Sequence, residues 1–152
     1  MPEFRLDHVA VATRSIKPAL KLFMEGLGGE YLMGGEDRDT WRWFQMRWPG
    51  GGKIELLEPI SDDSFLTRFL DKRGEGLHHV TFKTDDIRGA IERLQAAGYE
   101  LVDVNIENPS WKEAFLRPTK AHGTLIQVAQ SSHSDEEVAP FARPSNLDDL
   151  LA

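Results

Sequence analysis

The chain has 152 residues, enough for one domain with a proper core, and its 40% apolar and 28% charged residues are the balance of a soluble globular protein. A formal charge of −7 argues against a nucleic-acid partner, which selects a basic face, and the absence of cysteine removes disulfides, thiolate ligands and a cysteine nucleophile. No window approaches the run of roughly 20 apolar residues that spans a bilayer, and Met1-Pro2-Glu3-Phe4-Arg5 has no apolar signal core, so the expected location is the cytoplasm, away from membranes.

In chain order, Leu6–Ala12 alternates around Val9 and Val11 and predicts a strand. Thr13 or Ser15 can cap a helix that tolerates Pro18 in its first turn, carries Ala19, Leu20, Leu22, Phe23 and Leu27 at helical spacing, and stops at Gly28-Gly29. Glu30–Met33 reads as a short strand, and Gly34–Asp39 as a polar loop. The aromatic-rich Thr40–Trp48 and the following Lys53–Glu58 form a hairpin across the turn Pro49–Gly52. A connector, 59–76, contains a short helix over Ser64–Lys72. The order then repeats: strand His78–Lys83, a helix capped by Asp85 or Asp86 and ended by Gly98, strand Glu100–Val104, loop Asn105–Pro109, strand Trp111–Leu116, turn Pro118–Gly123 and strand Thr124–Gln130. The tail 131–152 is polar, with apolar positions only at Leu147, Leu150 and Leu151. It reads either as a loose tail or as a strap packed on a neighbour.

The repetition extends to individual residues. Leu6 matches Leu77, His8 matches His79, Val9 matches Val80, Thr13 matches Thr84 and Ile16 matches Ile87, all at one offset (79 − 8 = 71). Lys53-Ile54-Glu55-Leu56 matches Leu125-Ile126-Gln127-Val128 at 72, one loop residue more. The predicted fold is therefore α+β: one domain over 1–130, built from βαβββ modules 6–58 and 77–130. Each module offers an imidazole on its first strand, His8 or His79, and an oxygen donor on its last, Glu55 or Gln127. Alternation puts His8 on the face opposite Val9 and Val11, and His79 on the face opposite His78. Two imidazoles and two oxygen donors suit a borderline divalent ion such as Zn²⁺, Co²⁺, Ni²⁺ or Mn²⁺.

Leu6–Ala12, Ile54–Pro59, Phe69–Val80, Phe115–Pro118 and Gly123–Gln127, in this βαβββ order, resemble the vicinal oxygen chelate superfamily of glyoxalases, epimerases, extradiol dioxygenases and bleomycin-resistance proteins. Among these the likeness is strongest to methylmalonyl-CoA epimerases. The resemblance implies a curved mixed sheet around a concave groove, a divalent metal on His8, Glu55, His79 and Gln127, a small-molecule substrate and a homodimer. It also implies proton transfer at a carbon beside a carbonyl, in an acyl-CoA thioester such as methylmalonyl-CoA. The chain departs from the epimerase pattern by carrying the carboxylate in the first module and the amide in the second. An amide cannot serve as a base, so Glu55 becomes the candidate, with Glu36 and Asp37 as candidates for a second acid or base on the opposite face of the carbon.

Glyoxalase-like lyase chemistry is the nearest variant. A metal-free ligand-binding or resistance protein is the reading from another class. In it Trp41, Trp43 and Trp111 would line an apolar groove, and Arg117 would hold an anionic group. His78 reads as structural, His122 as a surface residue, and Met24, Met33 and Met46 as core.

Overall fold

The computed structural model describes residues 2–152. Eight strands form one mixed sheet in the order β2-β3-β4-β1-β5-β8-β7-β6. The strands are β1 (Arg5–Ala12), β2 (Glu30–Asp37), β3 (Trp41–Arg47), β4 (Lys53–Pro59), β5 (Gly76–Lys83), β6 (Val102–Asn105), β7 (Trp111–Leu116) and β8 (Ile126–Ser131). The helices are α1 (Ile16–Leu20), which runs on into a π-helical turn Lys21–Gly26, α2 (Phe65–Arg73), α3 (Ile87–Ala96), α4 (Asp135–Val138) and α5 (Leu147–Leu151). Read within each module, the strand orders are 2-3-4-1 and 6-7-8-5, so the duplication seen in the sequence is also a duplication of topology. Among the described residues no helix is long and apolar enough to cross a membrane.

The repeat holds at the level of single hydrogen bonds. Thr13 N–H donates to Leu57 O at 2.8 Å, and its counterpart Thr84 N–H donates to Ala129 O at 3.0 Å. Ile16 N–H donates to Glu58 Oε2 at 2.7 Å, and Ile87 N–H to Gln130 Oε1 at 2.9 Å. In each module a side chain from the last strand thus satisfies an orphan donor at the start of the first helix. That arrangement replaces the local cap expected at α1: Ser15 occupies the N-cap position, but its side chain makes no capping hydrogen bond. At α3 Asp86 does cap, accepting from Gly89 N–H at 3.0 Å, and at α2 Ser64 accepts from Leu66 N–H.

Two expectations are corrected. The polar stretch expected as a loop continues β2 to Asp37, leaving a tight turn at Arg38 and Asp39, both at positive φ. Gly34 permits this, because a Cβ there would lie 2.6 Å from Trp43 O and 2.9 Å from Pro144 Cδ. The tail is neither loose nor spent on a neighbour. Leu147 and Leu150 are buried in a core with Ile16, Leu20, Phe44, Met46 and Leu56. Gly34 N–H donates to Ala142 O at 3.0 Å, Lys53 Nζ pairs with Asp135, and Lys17 Nζ with Asp149. The segment thereby covers β2, an edge strand that would otherwise present unpaired backbone groups.

The chain falls into two compact units: the residues up to Val9 with His79–Ser134, and Ala10–His78 with Asp135–Ala152. The second unit holds both larger apolar clusters. One is the core just described, with Val11 packed on it; the other comprises Ala10, Ala12, Leu57, Leu66 and Leu70. The first unit relies on a smaller cluster of Ile87, Ala90 and Val128, with Phe4, Ile91 and Leu94 against it.

Candidate metal centre

In the first unit the two expected histidines meet edge to face, ring centroids 5.8 Å apart. His8 is buried, and its Nδ1 lies 2.7 Å from Asp7 Oδ2. A carboxylate on Nδ1 fixes the ring and selects the tautomer that presents Nε2. Asp7 Oδ1 is itself paired with Lys83 Nζ at 3.4 Å. Thr81 Oγ1 lies 3.2 Å from His8 Nε2 and donates to Gln127 Oε1 at 2.6 Å. The parallel register that sets Thr81 opposite Gln127 produces that contact. Gln127 Nε2 donates to Glu113 Oε2 at 3.4 Å, and Trp111 Nε1 donates to Glu113 Oε1 at 3.0 Å. Lys83 Nζ sits 5.7 Å from the centre of the Trp111 ring, a cation–π distance that closes the circuit.

In the second unit Glu55 is buried and accepts from Gln45 Nε2 at 2.7 Å, across the directly paired positions of β3 and β4. A buried carboxylate without partners is costly, so this amide both satisfies and orients it. His78 lies against the rings of Phe65 and Phe69, at 5.4 and 4.9 Å. Burial pushes its imidazole down to about 4, with Glu55 partly opposing, so it is neutral at pH 7. Glu36 stands on β2 and accepts from Arg42 Nε at 2.9 Å and from Ser145 N–H and Oγ–H at 2.8 Å. Burial acts to raise its pKa, but those hydrogen bonds outweigh it and hold the carboxyl below the ordinary value. The other end of Arg42 binds Glu58. Asp37 is half exposed and lies opposite Trp41. Trp41 and Trp43 pack on the Ala10–Leu57–Leu66–Leu70 cluster, Trp41 meeting Phe65 at 5.7 Å. Arg117 is exposed at the start of a 3₁₀ turn, and His122 is exposed beside Tyr99.

His8 and His79 of the first unit each offer an imidazole nitrogen, and Glu55 of the second offers a carboxylate oxygen, as ligand atoms. A divalent ion bonds imidazole nitrogen and carboxylate oxygen at about 2.0–2.2 Å. The donor set fits such an ion chemically: imidazole and oxygen without sulfur suit the borderline divalent metals. The imidazoles' surroundings are rich in acceptors: Asp7 Oδ2 faces His8 Nδ1, Gln127 Oε1 accepts from Thr81, and Glu113 accepts from Gln127 Nε2.

A family model described as the glyoxalase/bleomycin resistance protein/dioxygenase superfamily matches residues 7–115. The chain belongs to that superfamily. Within it, the chain is 30% identical over 141 residues to an uncharacterised Bacillus subtilis protein, YqjC, covering 88% of this chain and 99% of that one. It is 29% identical over 130 residues to the ethylmalonyl-CoA/methylmalonyl-CoA epimerase of Cereibacter sphaeroides, covering 83% and 97% of the two chains. The crystal structure of methylmalonyl-CoA epimerase from Mycobacterium tuberculosis superposes with a TM-score of 0.74 at 26% identity, over 84% of this chain and 88% of that one. The fold is therefore the glyoxalase-like fold of the epimerase structures, as the duplicated βαβββ order predicted.

Asp7, Gln45, Thr81, Lys83 and Glu113 escape a sequence reading. Asp7 precedes His8 on a strand, and alternation points it away, yet its carboxylate turns onto Nδ1. Gln45 and Glu113 become visible only once the hairpin registers are known, because each supports a donor on the neighbouring strand.

Proposed function

We propose that this protein is a metal-dependent epimerase-type enzyme that moves a proton at the carbon beside a carbonyl, with an acyl-CoA thioester such as methylmalonyl-CoA as substrate. The observation that supports the reading is the facing pair of His8 and His79 imidazoles, ring centroids 5.8 Å apart, with Thr81 linking His8 to Gln127, in a chain of this superfamily whose relatives include epimerases. His8, His79, Glu55 and Gln127 are assigned as the residues that hold the ion. A bound divalent ion supplies Lewis-acid stabilisation of the negative charge that develops on a carbonyl oxygen when the adjacent proton leaves. Asp7 keeps His8 presenting Nε2, and Thr81 steadies Gln127. Glu55 is the carboxylate of the set, able to accept a proton where Gln127 is not, with Gln45 holding its other lone pairs. For the opposite face of the carbon Asp37 is a better acid/base group than Glu36, which three hydrogen bonds keep ionised. Trp41, Trp43, Trp111 and Arg117 are assigned to substrate contact, the tryptophans through apolar surface and Arg117 through charge.

The test is elemental analysis of purified protein together with racemisation of a single methylmalonyl-CoA epimer. About one equivalent of divalent metal, lost in His8→Ala along with activity, is the expected result. A protein that binds no divalent metal, or a His8→Ala variant that retains full activity, contradicts the reading.

A further inference from the structure

We propose that Glu113 is a positioning residue for Gln127: it replaces, one strand away, the carboxylate charge that position 127 lacks, and fixes which end of the amide is presented. This rests on the metal-centre reading above. A carboxamide has one accepting and one donating end, and a half-turn exchanges them. Two partners enforce the same choice here. Thr81 donates to Oε1 at 2.6 Å, and Glu113 Oε2 accepts from Nε2 at 3.4 Å. The carbonyl oxygen, the only atom of Gln127 able to ligate a cation, is thereby turned toward the hydroxyl that also touches His8 Nε2. Glu113 is itself held by Trp111 Nε1 at 3.0 Å, so it is a fixed acceptor and not a mobile surface acid.

The two modules differ at this pair in a correlated way. Glu113 stands two residues before Phe115, which pairs with Gln127; its counterpart Trp43 stands two residues before Gln45, which pairs with Glu55. Where the position equivalent to Glu113 is tryptophan, the donor is glutamate and is supported by Gln45. Where the supporting position is glutamate, the donor is glutamine. A glutamate at 127 would put a carboxylate oxygen where Nε2 now lies, 3.4 Å from Glu113, and like charges at that distance repel. Position 127 is an amide because its neighbour already carries the charge.

Four proteins decide it: wild type, Glu113→Ala, Gln127→Glu, and the exchange Glu113→Gln with Gln127→Glu, each titrated with Co²⁺ or Zn²⁺ against a chromophoric chelator after a melting curve confirms folding. Glu113→Ala should lose about 10–100-fold in metal affinity, the loss typical of an outer-shell partner, Gln127→Glu should also bind more weakly than wild type, and the exchange should recover most of its loss. Should Glu113→Ala not fold, the contrast between Gln127→Glu and the exchange still decides, because only a coupled pair is rescued. Wild-type protein that binds no metal overturns the metal-centre reading. Wild-type protein that binds metal as tightly as Glu113→Ala, or an exchange no better than Gln127→Glu, overturns this inference alone.

Discussion

The first module and the second make the same hydrogen bonds with different charges. Ile16 N–H and Ile87 N–H are both capped from the last strand of their own module, by Glu58 in one and Gln130 in the other. The oxygen donors on the last strand of each module follow the same rule, Glu55 against Gln127. In the first module each carboxylate has a matching donor: Arg42 for Glu58, Gln45 for Glu55. In the second, each amide uses its second end, Gln130 Nε2 donating to Asp85 O at 3.0 Å and Gln127 Nε2 to Glu113. Duplication has preserved geometry while charge has been redistributed around it.

Removing an imidazole breaks the comparison most severely. His8→Ala and His79→Ala should each weaken metal binding by more than ~100-fold, above the range expected for outer partners, and equally in both modules, as read by calorimetric titration. The oxygen donors should then separate the modules. Glu55→Gln should lower kcat by about 10²–10⁴-fold, the contribution of a general base, while retaining part of the metal affinity. If Glu55→Gln leaves kcat intact, the base lies elsewhere.

Smaller effects concern stability. Leu147→Ala and Leu150→Ala should each cost about 2–5 kcal/mol in urea unfolding, because both side chains fill the core of the second unit. Glu36 gives a pH dependence. Its folded pKa lies below its ordinary value, so its contribution is fully present above the unfolded pKa of 4.5 and is lost as pH falls through the folded value. Glu36→Gln should therefore be less stable than wild type at pH 6–7, and the two curves should converge in acid. At the small end, Gln130→Ala should cost about 1 kcal/mol, the usual worth of a helix cap.

Much of the fold is legible in the sequence because it is written twice. The offset of 71 pairs His8 with His79 and Thr13 with Thr84, and the strands and helices follow from alternation and from Gly28 and Gly98 as stops. The extension of β2 is not legible: Gly34-Gly35 reads as a turn until Trp43 and Pro144 are seen crowding the place of a Cβ. The tail is misread for a similar reason, since two leucines in a polar stretch reveal nothing about the gap they fill beside Phe44 and Met46. Of the proposed site, the candidate ligand positions come from the repeat. Their supports do not: Gln45 and Glu113 act across strands whose register no local pattern specifies, and Asp7 turns onto its neighbour's ring against the alternation of the strand.

The central claim is a metal-assisted proton transfer beside a thioester carbonyl, and the most direct measurement is exchange of the methylmalonyl-CoA α-proton in D₂O followed by proton NMR. The account predicts loss of the α-proton signal at catalytic rates, abolished by chelator, restored by a divalent metal and absent in Glu55→Gln. An α-proton that stays at the uncatalysed rate in metal-loaded wild-type protein would contradict it.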